Sequence, residues 1–397
     1  MDQLFLKSVP ILELIEKAGF EAYFVGGSVR DYILGRPIND VDIASSATPQ
    51  EIKGIFPKTA DIGIEHGTVL VIAESGTYEI TTFRTESGYT DFRRPDSVQF
   101  VRSLTEDLQR RDFTMNAIAM DKSGNMIDPF NGKRDLLQKR IITVGNPHER
   151  FHEDALRMMR ALRFVSQLDF ELDQQTFDSL QENGPIISEI AIERILIEFE
   201  KLLAGAYKTR ALSLLLESGL YQYLPQFSNQ KENLEKLLNL PLHHLKAAEL
   251  WSVIMIYTNA KDIEAALREW KLPLKTIRSV QRIIQLAKKE PPFENSALEI
   301  FQAGQIEAVQ AAKVRAVLTG RNVKDAEKVI HQRFNELIIK QMSDLAVTGT
   351  DLLKWRQERP GPWVKEYLEL ILKAVLNAEF RNEKDEIKRW LEKCNLI

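Results

Sequence analysis

Residues 22–45 have the sequence AYFVGGSVRDYILGRPINDVDIAS. β-Branched and aromatic residues bounded by Gly, Asp or Ser predict two strands here, over 22–27 and 40–45. The segment 28–35 between them predicts a two-turn helix that a glycine closes. A strand that ends in two glycines and turns directly into a helix presents bare backbone amides, which suit a phosphate group. The same pair of glycines is also common in ordinary turns, so neighbouring residues must decide its role.

Two aspartates stand at the second of these strands. On a strand, Asp40 and Asp42 would project from one face, while Val41 would turn to the core. Adjacent carboxylates repel each other, and a divalent ion, Mg²⁺ bound together with substrate phosphates, would remove that cost. An isolated Asp-x-Asp is also typical of a polar strand edge or turn. Glu79 is a candidate third catalytic carboxylate, although an exposed strand glutamate explains it equally well.

Further strands are predicted over 68–74 and 77–84, and a capping box with proline at the first helical position predicts a helix from Thr48. From Phe151 onward nearly every segment has apolar residues at helical spacing. A mixed N-terminal head followed by helices indicates the α+β fold class.

The composition is that of an ordinary globular protein, with 397 residues, 44% hydrophobic residues and a formal net charge of −4. Any nucleic-acid site must therefore be a local basic patch. A single cysteine, Cys394, excludes an internal disulfide and favours a reducing compartment. The apolar run WSVIMIY (251–257) is too short to span a bilayer. We therefore expect a cytoplasmic protein without a membrane partner.

The segment FHEDALRMMRALRF (151–164) predicts one continuous helix, because its side chains favour helix and it contains neither Gly nor Pro. Asp154 and Arg163 would then lie about 13 Å apart along the axis. Taken alone, the segment is explained by a solvated charged face on which Asp154 and Arg157 form a weak surface pair.

Two further segments lie between these regions. In RRDFTMNAIAMD (110–121), Arg111 is a candidate phosphate or ribose ligand, because a guanidinium fork fits phosphate oxygens. A solvated helix end would explain the same residues. The segment DPFNG (128–132) is a turn by composition, either a plain connector or a hinge.

Taken together, the motifs resemble those of a known family. GGSVRD, DVDIA, RRDFTMNAIAMD, DPFNG and EDALRMMRALRF occur in the order and spacing of class II tRNA nucleotidyltransferases, the CCA-adding enzymes, within the polymerase β-like superfamily. The resemblance covers about residues 20–165, and 360–387 resembles the tail of Bacillus-type members. It implies Mg²⁺ bound by Asp40 and Asp42, and a set of nucleotide ligands: Gly27, Arg30, Arg111, Asp154, Arg157, Arg160 and Arg163.

Within that family the EDxxR pair serves as a protein template, and the chemistry of the bases agrees. Cytosine and adenine share an exocyclic amino donor beside an unprotonated ring nitrogen. Asp154 would accept from the amino group while Arg157 donates to the ring nitrogen. Uracil and guanine would set a carbonyl oxygen against the carboxylate and leave polar groups unpaired. Arg160 and Arg163 would hold the triphosphate.

Two segments concern the RNA substrate. The polar segment 86–98 resembles the loop of family members that add the final A, and CC-only enzymes typically lack it. The segment 271–289 carries six basic residues and no acid. It is either a basic surface helix or a phosphate track for the acceptor and TΨC arms of tRNA.

The expected organisation has four parts: a catalytic head (1–147), a neck (148–205), a body (206–290) and a tRNA-binding tail (291–397). The expected activity is addition of C, C and A from CTP and ATP, including repair of damaged ends. Alternatives are an A-adding enzyme with a separate CC-adding partner, a poly(A) polymerase, or a non-catalytic tRNA-binding protein. A homodimer is also compatible with the resemblance.

Overall fold

The computed structural model describes residues 1–63, 67–88, 92 and 97–397. These residues form two compact units, Met1–Lys231 and Glu232–Ile397. The first unit contains a mixed sheet with helices, and the second is built from helices, so the predicted α+β class is confirmed. The finer division into four parts stays a prediction. A search of the described helices found no candidate for a membrane span.

The strands of the first unit are short. Their bounds are β1 Ala22–Val25, β2 Asp42–Ser45, β3 Thr59–Gly63, β4 Thr68–Ala73, β5 Gly76–Thr82, β6 Arg84–Ser87, β7 Ser97–Phe100, β8 Ala119–Met120, β9 Met126–Ile127, β10 Arg140–Ile141 and β11 Glu171–Leu172. Among the described residues, seven of them form one sheet in the order β3-β4-β5-β2-β1-β8-β9.

The register of the sheet brings three functional positions together. Strands β1 and β2 are antiparallel, with Val25 opposite Asp42. Strands β2 and β5 are parallel, with Asp42 beside Glu79. The turn after β1 therefore lies at the same end of the sheet as the start of β2.

The helices of the first unit surround this sheet and extend beyond it. They are α1 Gln3–Lys17, α2 Gly27–Ile33, α3 Pro49–Ile55, α4 Leu104–Gln109, α5 Gly132–Leu137, α6 Pro147–Glu153, α7 Leu156–Leu168, α8 Gln174–Asn183, α9 Ile192–Ala204 and α10 Lys208–Glu217. The predicted capping box at Thr48 is confirmed: Thr48 Oγ1 accepts from the amide of Glu51, whose carboxylate accepts from the Thr48 amide. Val25, Ala44, Phe83, Leu108 and Ala119 belong to one core cluster.

The second unit continues the helical series, and its first helix begins at Lys231, the last residue of the first unit. Its helices are α11 Lys231–Leu238, α12 Ala247–Tyr257, α13 Ile263–Glu269, α14 Leu274–Ala287, α15 Ala297–Thr319, α16 Val323–Glu336, α17 Gly349–Arg356, α18 Pro362–Leu376 and α19 Lys384–Lys393. The predicted basic segment 271–289 contains α14, whose apolar face is buried. Of the predicted loop 86–98, residues 89–91 and 93–96 lie outside the described residues, as does His66.

Candidate active site

A single glycine makes the turn between β1 and α2. Gly26 has φ 73° and ψ −139°, a backbone conformation that side chains rarely adopt. A Cβ atom at this position would also lie 3.4 Å from both Arg111 Nη1 and Asp42 Oδ2. The turn is therefore bare where a guanidinium group and a carboxylate approach it.

The two predicted metal-binding aspartates do not share a strand. Strand β2 begins at Asp42, so Asp40 and Val41 precede it, and the predicted strand start at residue 40 is wrong. The reason lies in the pairing of the two strands. Val25 is the last residue of β1 that pairs with β2, and it lies opposite Asp42, so Asp40 and Val41 have no partner on β1. Asp40 and Asp42 nevertheless line one cavity.

Negative charge is concentrated around Asp42. Partial loss of solvent around its carboxylate raises the pKa of Asp42, and the charges of Asp40 and Glu79 raise it further, against the opposing effect of Arg111. A bound cation would relieve this repulsion. Among the described residues, no three Asp, Glu, His or Cys side chains are close enough together to hold a metal ion. Asp40 and Asp42 are therefore a two-carboxylate site, and Glu79 lies beside Asp42 on the neighbouring strand.

The cavity has a volume of about 910 Å³ and a basic lining. Among the residues that the structure describes, eight arginines and one lysine line it, against four aspartates. Such a surface attracts a polyanion such as a nucleoside triphosphate. Of the predicted site residues, only Glu79 is absent from the lining; the cavity is lined by Gly27, Arg30, Asp40, Asp42, Arg111, Asp154, Arg157, Arg160 and Arg163.

The chain breaks its helix at Asp154. Helix α6 ends at Glu153 and α7 begins at Leu156, while Asp154 is extended, with φ −143° and ψ 103°. The Asp154 carboxylate accepts a hydrogen bond from the Leu156 amide at 3.1 Å, a contact by which aspartate competes with helical backbone bonding. The predicted continuous helix over 151–164 is therefore wrong, and so is the 13 Å axial rise from Asp154.

The arginines of α7 are not a solvated face. Arg157 is buried, and its guanidinium donates to Glu153 Oε2 at 2.6 Å and to the Arg110 carbonyl at 2.9 Å. Arg163 is also buried and forms an ion pair with Glu198 at 2.9 Å. Burial and the nearby charge of Arg160 lower the pKa of Arg163 to about 10, so it stays charged at neutral pH. The alternative of a weak surface pair between Asp154 and Arg157 is wrong.

Asp112 fixes the middle arginine of the three. Arg160 Nε donates to Asp112 Oδ2 at 2.8 Å, and Asn116 Nδ2 donates to Asp112 Oδ1 at 3.0 Å. Burial alone would raise the pKa of Asp112, but the charge of Arg160 and the donated hydrogen bonds hold it well below its ordinary value. Asn116 also accepts from Arg30 Nη1 at 2.9 Å, so one polar network joins α2 to α7.

An aromatic ring lies beneath the same arginines. The guanidinium carbons of Arg30, Arg160 and Arg163 lie 5.2, 5.7 and 4.3 Å from the centroid of the Phe164 ring. These distances allow cation–π attraction, which holds the three positive charges beside one another. Phe164 thereby supports the basic wall of the cavity.

Several residues of the site were missed by the sequence-based prediction. Arg194 and Glu198 extend from α9 and pair with Asp154 and Arg163, at 3.2 and 2.9 Å. A signal was present in ERILIEFEKLL (193–203), where Arg194, Glu198 and Lys201 recur at helical spacing within an amphipathic helix. That pattern predicts one charged face but not its partners.

Comparison with known proteins gives consistent matches along the chain. A family model described as "Poly A polymerase head domain" matches residues 22–142. A second model, whose description names an RNA and SrmB-binding site of polymerase A, matches residues 169–231. A third model, whose description names tRNA nucleotidyltransferase domain 2, matches residues 242–391. The CCA-adding enzyme of Geobacillus sp. (strain WCH70) is 46% identical over 399 residues, covering 100% of this chain and 99% of that protein. The CCA-adding enzyme of Bacillus licheniformis is 46% identical over 402 residues, covering 100% of both.

A solved structure is similar over the same length. The crystal structure of Bacillus stearothermophilus CCA-adding enzyme in complex with CTP shares 43% identity and a TM-score of 0.89, and the match covers 100% of this chain and 98% of that one.

Proposed function

The chain belongs to the family of CCA-adding enzymes, tRNA nucleotidyltransferases, and we propose that it uses the cavity of its first unit to add C, C and A to the 3′ end of tRNA from CTP and ATP. One observation carries the assignment of the site. A single cavity contains the carboxylate pair Asp40 and Asp42, a wall of arginines, and Asp154 with Arg157. These are the groups needed for metal-assisted transfer, triphosphate binding and base selection.

Base selection follows from hydrogen-bonding capacity. A carboxylate only accepts and a guanidinium only donates, so Asp154 and Arg157 together complement an amino group beside a ring nitrogen. Cytosine and adenine both offer that edge. Arg157 is held by Glu153 and by a backbone carbonyl, which supports a fixed donor in this role. Discrimination against uracil and guanine arises because the mismatched groups would be left unpaired.

We assign triphosphate binding to the basic wall of the cavity, which consists of Arg30, Arg111, Arg160 and Arg163. Arg160 and Arg163 lie one turn apart on α7, and their charges are gathered with Arg30 around Phe164. Arg111 donates to Asp107 at 3.2 Å and approaches the bare turn at Gly26. Guanidinium forks bind phosphate oxygens in two-point contacts, so this wall orients the nucleotide with its phosphates toward the carboxylate pair.

The carboxylate pair fits a divalent cation, which we assign as Mg²⁺. Asp40 and Asp42 would hold it, since burial and then the nearby charge of Asp40 raise the pKa of Asp42, and phosphate oxygens would complete a mostly oxygen-ligand set. When bound, the ion supplies Lewis acidity for the attack of the tRNA 3′-hydroxyl and for the leaving pyrophosphate. Glu79 is proposed as a third catalytic carboxylate that acts from beside Asp42.

We assign tRNA binding to basic residues of the second unit as well as to the cavity, because the tRNA backbone is negatively charged. The segment around α14 carries basic residues and contacts two acids: Arg282 pairs with Glu307 at 2.9 Å, and Lys289 pairs with Glu299. We propose the remaining basic groups of this segment, Lys275 and Arg278 among them, as contacts for the acceptor and TΨC arms. We propose the cytoplasm as the compartment in which the protein acts. The four-part division and a homodimer stay predictions.

The test uses three tRNA transcripts, ending at the discriminator base, at C and at CC, with CTP, ATP or both. Two additions from CTP followed by one from ATP support the proposal. Extension by ATP of only the CC-ended transcript would reveal an A-adding enzyme, and a long A tail would reveal a poly(A) polymerase. Absence of any transfer would leave a tRNA-binding protein.

A further inference from the structure

Helix α9 supplies a charged face to the cavity. Ile195, Phe199 and Leu202 are buried on its apolar side. Arg194 and Lys201 line the cavity from a face of this helix that flanks its apolar side. The helix therefore forms a second wall, and Arg194 is the residue of that wall that reaches the base-selecting carboxylate.

The contact between Arg194 and Asp154 is specific in its atoms. Arg194 Nη2 donates to Asp154 Oδ2 at 3.2 Å, while the Leu156 amide donates to Asp154 Oδ1 at 3.1 Å. Both side chains are largely shielded, with 26% of Arg194 and 20% of Asp154 exposed. Each carboxylate oxygen is thus held by one donor, and the orientation of the carboxylate is set by two points.

Asp154 stands in the break between α6 and α7, where its amide donates to the Arg150 carbonyl at 3.4 Å and its carbonyl accepts from the Arg157 amide at 3.0 Å. These bonds hold the backbone, but they do not set the rotation of the carboxylate about its side-chain bonds. A carboxylate oxygen has two acceptor sites, so Oδ2 can accept from Arg194 and from a nucleobase at the same time. A carboxylate that rotates freely would lose the geometric match on which base selection depends.

We propose that Arg194 is a positioning residue for base selection: it fixes the Asp154 carboxylate in the orientation that accepts the amino group of cytosine or adenine. This inference rests on the proposed function, because it acts through the assigned role of Asp154. Arg194 itself need not touch the nucleotide. A purely structural role is the competing explanation, since an ion pair between α9 and the break that separates α6 from α7 would also stabilise the fold modestly.

The test compares kcat/KM for CTP with kcat/KM for UTP on one tRNA transcript, for wild type and Arg194→Ala. We expect the CTP preference to fall about tenfold or more, the loss expected for one charge-assisted hydrogen bond. Arg194→Lys should recover part of the preference, because it restores the charge but not the fork. Arg210→Ala is the matched control: its ion pair with Asp169 measures 3.1 Å and lies in the same unit, and neither residue lines the cavity.

A double-mutant cycle separates the explanations. If Arg194 acts through Asp154, Arg194→Ala should have no further effect on the preference in an Asp154→Ala background. An unchanged CTP preference in Arg194→Ala, with normal wild-type selection, would overturn this inference and leave the proposed function intact. So would a lower melting temperature without a change in preference. Failure of the wild type to transfer CTP at all would instead defeat the proposed function. If Arg194→Ala does not fold, the same comparison in Arg194→Gln decides.

Discussion

Replacing Asp112 by Asn tests whether a buried carboxylate holds Arg160, one arginine of the basic wall, in place. Asp112 is 7% exposed and accepts from Arg160 Nε at 2.8 Å, from Asn116 at 3.0 Å and from the Phe113 amide at 2.8 Å. Asp112→Asn keeps the shape but removes the charge and turns one acceptor into a donor that faces Arg160. The change therefore affects one named contact in a defined environment.

The size of the effect follows from those contacts. Hydrogen bonds to charged groups contribute roughly 1.5–3 kcal/mol each. The Arg160 side chain is 31% exposed, so water can replace part of what it loses. We expect the opening free energy of α7 to fall by about 2–3 kcal/mol, and the KM for ATP to rise because Arg160 is no longer held.

Hydrogen exchange of the α7 amides, followed by mass spectrometry, measures the opening free energy directly. Asp169→Asn is the matched control, since Asp169 pairs with Arg210 but is 38% exposed, and its change should stay within about 0.5 kcal/mol. A loss below about 1 kcal/mol in Asp112→Asn, or an unchanged KM, would refute the role of Asp112.

Three further predictions concern the carboxylates and the glycine turn. Asp42→Ala should abolish nucleotide transfer while leaving CTP binding measurable. Chelation of divalent ions should stop transfer by the wild type until Mg²⁺ is restored. Transfer by Asp42→Ala would exclude the assigned metal site. Gly26→Ala should cost about 1–3 kcal/mol of local strain, because residues with a side chain rarely adopt its φ of 73°. Relaxation of that strain would shift the turn beside Arg111 and Asp42, so kcat should fall in a protein whose circular dichroism is unchanged; full activity would contradict the required turn geometry. The folded-state pKa of Asp112 lies below its unfolded value, so its stabilisation is present above about pH 3.9 and is lost as the pH falls further toward the folded pKa. Acid unfolding should therefore be less steep in Asp112→Asn than in wild type, and identical profiles would contradict the linkage.

Motif order and spacing singled out nine residues that the structure brings to one cavity, although the roles assigned to them stay predictions. Two of them, Gly27 and Asp42, lie close together because the strand and turn that carry them are adjacent in the chain as well as in the sheet. The break at Asp154 was missed because helix propensity alone favours a continuous helix over 151–164. Competition by the Asp154 side chain for the Leu156 amide is a local contact that propensity does not include.

Long-range partners could not be predicted in the same way. Arg194 lies 40 residues after Asp154, and Glu198 lies 35 residues after Arg163. Both pairings depend on how α9 packs against α7 and the break before it. Charged residues at helical spacing indicate a polar face and leave its partner open. Short strands such as β10 and β11 were also missed, because two-residue strands have no alternation to detect.

The most direct test of base selection by the protein is a competition between CTP, ATP, UTP and GTP on a CC-ended and a discriminator-ended transcript, in wild type and Asp154→Ala. Wild type should incorporate only A on the CC-ended transcript, and C, C and A on the discriminator-ended one. Asp154→Ala should incorporate U and G as well, with metal binding largely unchanged. Unchanged discrimination in Asp154→Ala would contradict base selection by Asp154, because another group would then be selecting the base.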